Sequence, residues 1–87
     1  MADNTNVTYC WKESYEPSSG DPGETLVEYS DGFVPRVGET VLLSWPESDG
    51  EAIGSYVVSH VHYYVSASWC NAVVVVRGAV GDEAIPV

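Results

Sequence analysis

Alternating hydrophobic and polar positions divide the chain into five predicted β-strands. The first covers Val7 to Lys12, with Val7, Tyr9 and Trp11 on one face. Shorter alternating segments at residues 25–29 and 40–45 predict the second and third strands. The longest pattern covers residues 55–67, and residues 72–77 return antiparallel after a hairpin connection. Four consecutive valines at residues 73–76 predict a strand covered on both faces, and therefore a central strand.

Turn-forming residues separate these segments and set the fold class. Proline and glycine cluster at residues 16–23 and 46–51, where Asp49 and Gly50 predict a turn. No segment combines a helical hydrophobic period with caps at both ends. We therefore predict one all-β domain over residues 1–87, a small antiparallel barrel or strongly curled sheet of about five strands. Residues 1–6 and 79–87 are predicted to be flexible or peripheral.

One segment carries a family resemblance. From Val34 to Leu43 the chain has a proline, a glycine and an acid that lead into a hydrophobic strand. This segment resembles the strand entry of SH3-like barrels. The resemblance covers about a tenth of the chain and implies an SH3-like barrel, while it leaves the function open.

Composition agrees with strands and restricts the setting. The chain has 15 valines against three leucines and two isoleucines, and β-branched side chains favour the pleated sheet. No apolar run reaches the length of a transmembrane helix, about 18 residues or more. The N-terminus has neither the basic nor the apolar region of a secretory signal. We expect a cytoplasmic protein, in the host cytoplasm if the source is viral.

Charge is the strongest asymmetry of the sequence. Thirteen acidic residues face three basic ones, for a net charge of −10. Nine of the acids lie between Glu16 and Glu51, where Arg36 is the only base. This balance argues against direct binding to nucleic acid or to a membrane, and favours a protein partner with a basic surface, with general solubility as the alternative. The predicted partner-binding residues are Glu24, Glu28, Asp31, Glu47, Asp49 and Glu51.

Aromatic and imidazole side chains recur along the longest predicted strand. A spacing of two predicts that Tyr56, His60, His62 and Tyr64 share one face, which we interpret as a ligand or interface surface. Cys10 and Cys70 would complete a Cys₂His₂ zinc set with the histidines. However, the cysteines are 60 positions apart and have no short ligand spacing, so we predict no metal site. Free thiols are favoured over a disulfide.

No catalytic motif is present in the sequence. It has no nucleophile elbow, no HExxH pair and no phosphate-binding glycine loop, so we predict neither an enzyme nor a cofactor. The chain is predicted to be a non-enzymatic acidic binding protein. It resembles virus-encoded accessory proteins that inhibit nucleic-acid-binding enzymes by placing carboxylates where phosphates would sit. The alternatives are a small-ligand or zinc-binding β-barrel that uses the Tyr/His face, and a structural homo-oligomeric subunit.

Overall fold

Five β-strands form where the alternating segments lie. The computed structural model describes residues 5–30 and 33–85, and in these ranges it contains two short 3₁₀ turns and no α-helix. Within residues 5–30 and 33–85 the structure contains no helix that could span a lipid bilayer. The strands are β1 (Thr5–Trp11), β2 (Glu24–Ser30), β3 (Thr40–Glu47), β4 (Gly50–Val65) and β5 (Cys70–Gly78).

The strands form one sheet in the order β2-β1-β5-β4-β3. All neighbours are antiparallel except β1 and β5, which pair in parallel. A parallel pair needs a long connection, and here three intervening strands supply it. The edge strands β2 and β3 contact each other, so the sheet curls into a half-barrel. The predicted all-β class is confirmed, and the shape is consistent with a small SH3-like barrel.

The core lies on the inner face of the curled sheet. It contains Val7, Tyr9, Leu43, Val58, Val74 and Val76, contributed by four of the strands. On β5, Val74, Val75 and Val76 are all 0% exposed although their side chains alternate between the faces. The four-valine strand is therefore central and covered on both sides, as predicted. We call the face opposite to the core cluster the outer face.

A β-bulge in β4 changes which side chains share a face. Val58 pairs with Val76 and His60 pairs with Val75, so Ser59 has no partner on β5. The Ser59 hydroxyl donates to the Val75 carbonyl at 3.1 Å. Because paired residues share a face, the extra residue reverses the alternation of β4 at this point.

This bulge overturns one prediction about the Tyr/His face. Tyr56 lies on the inner face with Val58 and packs against the core cluster. His60 and His62 lie on the outer face. The prediction that Tyr56 shares a face with the two histidines is therefore wrong, since strict alternation takes no account of a bulge.

The β3–β4 hairpin is longer than predicted. Residues 46–51 were expected to form a loop, but Pro46 pairs with Glu51 and Glu47 pairs with Gly50. Only Ser48 and Asp49 form the turn, and Gly50 has a φ of +131°. Pro46 is tolerated because β3 is an edge strand, where a missing N–H need not interrupt a ladder.

The segment after β5 is attached to the sheet. Arg77 donates two hydrogen bonds to the Glu83 carboxylate, at 3.0 and 2.8 Å. Further on, the Ser55 hydroxyl donates to the Ile85 carbonyl and accepts from the Ile85 N–H. Residues 79–85 are therefore peripheral but anchored, and residues 5 and 6 belong to β1.

We expect Gly23→Ala to destabilise the fold strongly. Gly23 has a φ of +96°, and a Cβ there would lie 2.0 Å from the Trp11 carbonyl oxygen. Gly20 also has a positive φ, +71°, but a Cβ there would meet nothing within 4 Å. Gly20→Ala should therefore cost about 1–2 kcal/mol of unfolding free energy, and Gly23→Ala about 1–3 kcal/mol more. Urea unfolding followed by tryptophan fluorescence measures both; equal losses would contradict the close packing of Gly23 on β1.

The ion pair of Glu83 predicts a pH dependence of stability. The hydrogen bonds from Arg77, and a weaker one from the Val80 N–H, lower the pKa of Glu83 to about 2. A carboxyl whose pKa is lower in the folded state stabilises the fold above its unfolded pKa, about 4.3, and loses that contribution as the pH falls towards 2. Glu83→Gln should lower the urea midpoint at pH 7, with the difference from wild type shrinking between pH 4.5 and 2. Asp82→Asn is the control, and a gap that does not change with pH would contradict the prediction.

Candidate functional site

Two aromatic side chains on neighbouring strands form the centre of the candidate site. Trp45 on β3 and Tyr56 on β4 lie on the inner face, with ring centroids 6.5 Å apart. Both are partly buried against the core cluster. The rings are therefore held in place, while each keeps an exposed portion.

Two tryptophans each donate a hydrogen bond to a glutamate two positions further along. Trp11 Nε1 donates to Glu13 Oε2 at 2.6 Å, and Trp45 Nε1 donates to Glu47 Oε2 at 3.2 Å. The Glu13 carboxylate also accepts from the Gly78 N–H at 2.8 Å. This backbone bond, followed by the indole bond, lowers the pKa of Glu13. The carboxylates of Glu13 and Glu47 are thus oriented by neutral donors.

Glu24 completes this set from the start of β2. It pairs with Trp11, and a bulge at Leu26 places it on the inner face. The pKa of Tyr56 is raised, first by burial and then by the negative charges of Glu13 and Glu24. We call this set the acidic–aromatic patch: Trp11, Glu13, Glu24, Trp45, Glu47 and Tyr56.

The structure distributes the six predicted partner-binding acids over several places. Glu24 and Glu47 belong to the acidic–aromatic patch. Glu28 pairs with Thr8 and lies on the outer face, because the Leu26 bulge separates it from Glu24. Asp49 and Glu51 lie at the end of the β3–β4 hairpin. Asp31 lies outside the described residues.

Few cations neutralise these acids. Lys12 pairs with Asp21 at 3.0 Å, and Arg77 pairs with Glu83 at 2.8 Å. Across residues 5–30 and 33–85, these are the only ion pairs, so no carboxylate of the acidic–aromatic patch is in an ion pair, although the charge of Arg77 also lowers the pKa of Glu13. The patch is therefore a concentration of unneutralised negative charge beside aromatic rings.

The two histidines form a separate cluster on the outer face. Their rings are parallel, with centroids 6.2 Å apart. Tyr15 packs edge-on against both, at 4.6 Å from His60 and 5.5 Å from His62, and its hydroxyl shares a 2.9 Å hydrogen bond with His62 Nε2. Tyr64 follows on the same face but is mostly exposed. The histidines therefore attach the segment after β1 to the sheet.

The cysteines do not join the histidines. Cys10 pairs with Val75 on the outer face, whereas Cys70 pairs with Val65, which lies on the inner face. Five residues along β5 separate the two levels, which is about 16 Å in a strand and too far for a disulfide. In the part of the chain that the structure describes, no three His, Cys, Asp or Glu residues are grouped to hold a metal ion.

Sequence reasoning missed Glu13 and the role of Trp11, although a signal was present. The pattern Trp-x-Glu occurs twice, as Trp11-Lys12-Glu13 and Trp45-Pro46-Glu47. Two residues apart on an extended chain point to the same side, so an indole N–H can reach the carboxylate. This repeat would have identified four members of the acidic–aromatic patch, the two tryptophans and the two glutamates.

Comparisons with known proteins add no assignment. The chain matches no protein-family model, no curated protein and no solved structure.

The bond between Tyr15 and His62 predicts a measurable contribution to stability. Tyr15→Phe removes the hydroxyl and keeps the ring, so the unfolding free energy should fall by about 0.5–1.5 kcal/mol. Tyr64→Phe is the matched control, because Tyr64 is 59% exposed and should change by less than about 0.5 kcal/mol. Urea unfolding at pH 7.5 measures both; equal values would show that the Tyr15 hydroxyl does not stabilise the fold.

Proposed function

We propose that the chain is a non-enzymatic binding protein that docks on a basic surface of another protein through the acidic–aromatic patch. The observation that carries this proposal is the pair of Trp-x-Glu units beside Tyr56, whose carboxylates form no ion pair with any described residue. A carboxylate that forms no ion pair within its own protein is available to a cationic group of another protein.

An arginine side chain fits the chemistry of the patch. Its guanidinium group donates to carboxylates in a planar fork and also stacks on aromatic rings. Carboxylates from Glu13, Glu24 and Glu47 supply the acceptors, and the partly exposed rings supply the stacking surface. The indole and backbone donors already hold Glu13 and Glu47, which reduces the ordering cost on binding.

The field of the whole chain supports the same partner class. A net charge of −10 on a globule with a radius of gyration of 13.4 Å attracts cations and repels phosphates over about 8–10 Å at physiological salt. This field would attract a basic protein surface of the kind that normally binds nucleic acid. In that case the chain would act as an inhibitor, by occupying a phosphate-binding site with carboxylates.

The test uses a 12-residue peptide rich in arginine and glycine as the probe. Glu24→Gln combined with Glu47→Gln should weaken binding about tenfold, because each exposed ion pair contributes up to about 1 kcal/mol. Glu16→Gln combined with Asp82→Asn is the control, since it removes the same charge at exposed positions outside the patch. Isothermal titration calorimetry measures the affinities. Wild-type binding should weaken steeply between about 50 and 300 mM salt, because added salt screens ionic contacts.

Two results would contradict the proposal. Equal losses in the two double variants would show that binding follows net charge and has no dedicated surface. An affinity that does not change with salt would exclude ionic docking altogether.

A further inference from the structure

An open groove on the outer face is separate from the acidic–aromatic patch. The groove has a volume of about 580 Å³ and is lined by Asn6, Thr8, Glu28, Ser30, Trp69 and Asn71. Its volume is in the range of small-molecule sites, about 300–1,000 Å³. Five of its six lining residues are polar, and the sixth is a tryptophan.

The strand register arranges the polar side chains in two rows. Asn6 on β1 pairs with Ser30 on one side and with Asn71 on the other, so these three lie side by side across the sheet. In the next row Thr8 pairs with Glu28. Neighbouring strands are about 4.8 Å apart, so the side chains of the two rows form a regular grid of donors and acceptors.

In the described ranges, the five polar side chains form no hydrogen bond or ion pair. The two amides and two hydroxyls can each donate and accept, whereas Glu28 can only accept when ionised. The groove therefore offers a mixture of donors and acceptors and only one formal charge.

Trp69 forms an aromatic wall beside this grid. It ends the turn between β4 and β5, and its carbonyl accepts a hydrogen bond from the Ser66 N–H at 2.9 Å. The side chain is 49% exposed, and its indole N–H has no partner among the described residues. An exposed indole presents a large apolar face together with a polar edge.

We propose that this groove binds a carbohydrate, with the C–H face of one pyranose ring stacked on Trp69 and its hydroxyls bonded to Asn6, Asn71 and Glu28. Sugar hydroxyls both donate and accept, so they match the mixed grid. A guanidinium or ammonium group would leave the amide N–H donors without partners, and an apolar ligand would leave all five polar side chains unsatisfied. This inference does not depend on the docking proposed above.

The groove is open, so we expect weak binding of single sugars, with a Kd on the order of millimolar. The probes are the methyl glycosides of glucose, galactose and mannose, N-acetylglucosamine, and the disaccharides maltose, cellobiose and lactose. Each is titrated to about 50 mM into the full chain, well above the expected Kd. At least one should shift the Trp69 indole resonance and the side-chain amide resonances of Asn6 and Asn71 in ¹H–¹⁵N spectra.

Two variants separate the groove from general adhesion of sugars to exposed aromatic rings. Trp69→Ala should weaken the binding sugar about tenfold, since it removes the stacking surface. Tyr63→Ala is the control: it is 56% exposed near the same hairpin, but it lies on the inner face. Its affinity should equal that of wild type, and the spectra show whether each variant is folded.

Three results would overturn the proposal. The first is the absence of shifts with every sugar of the panel. The second is equal weakening by the Trp69 and Tyr63 substitutions. The third is a shift of the groove resonances by the arginine-rich peptide and by none of the sugars, which would assign Glu28 and Trp69 to docking on a basic partner.

Discussion

The extra residue at Ser59 is the constraint on which both faces of the sheet depend. Without it, strict alternation along β4 would place Tyr56 and His60 on one face. The bulge instead directs Tyr56 towards Trp45 and the core, and directs His60 towards Tyr15. The Ser59 hydroxyl donates to the Val75 carbonyl and so links the irregular position to β5. The bulge at Ser59 therefore places Tyr56 on the acidic, aromatic inner face and the histidines on the outer face.

The position of the bulge beside β5 explains how a short chain supports two distinct surfaces. A small domain has little core, and here the central strand is buried on both faces, with Val74 and Val76 in the inner core and Val75 on the outer face. The flanking strands β1 and β4 each bury one further side chain on the outer face, Cys10 and Val57 respectively. Remaining positions of the sheet carry polar side chains of the outer groove and carboxylates of the patch. Burial on both faces is thus confined to the three middle strands, and positions elsewhere in the sheet remain available for recognition.

Hydrophobic alternation predicted most of the fold but only part of the candidate site. Strand locations, the all-β class and the central valine strand follow from period and residue type, because burial on a pleated surface is a local property. The faces of Tyr56 and Glu28 do not, because each depends on a bulge that is visible only through pairing with another strand. The parallel pairing of β1 with β5 is a property of the whole chain. The Trp-x-Glu repeat, in contrast, is visible in the sequence alone and would have identified Glu13.

A chain with three basic residues has to orient its carboxylates by means other than ion pairs. Here indole and backbone N–H groups hold Glu13 and Glu47, and a neutral donor fixes a carboxylate without cancelling its charge. An ion pair in the same place would give comparable order and remove the field. Two of the three cations, Lys12 and Arg77, form ion pairs that attach the segments that follow β1 and β5. The chain therefore uses two of its three positive charges for attachment, and leaves the carboxylates of Glu13 and Glu47 ordered by neutral donors.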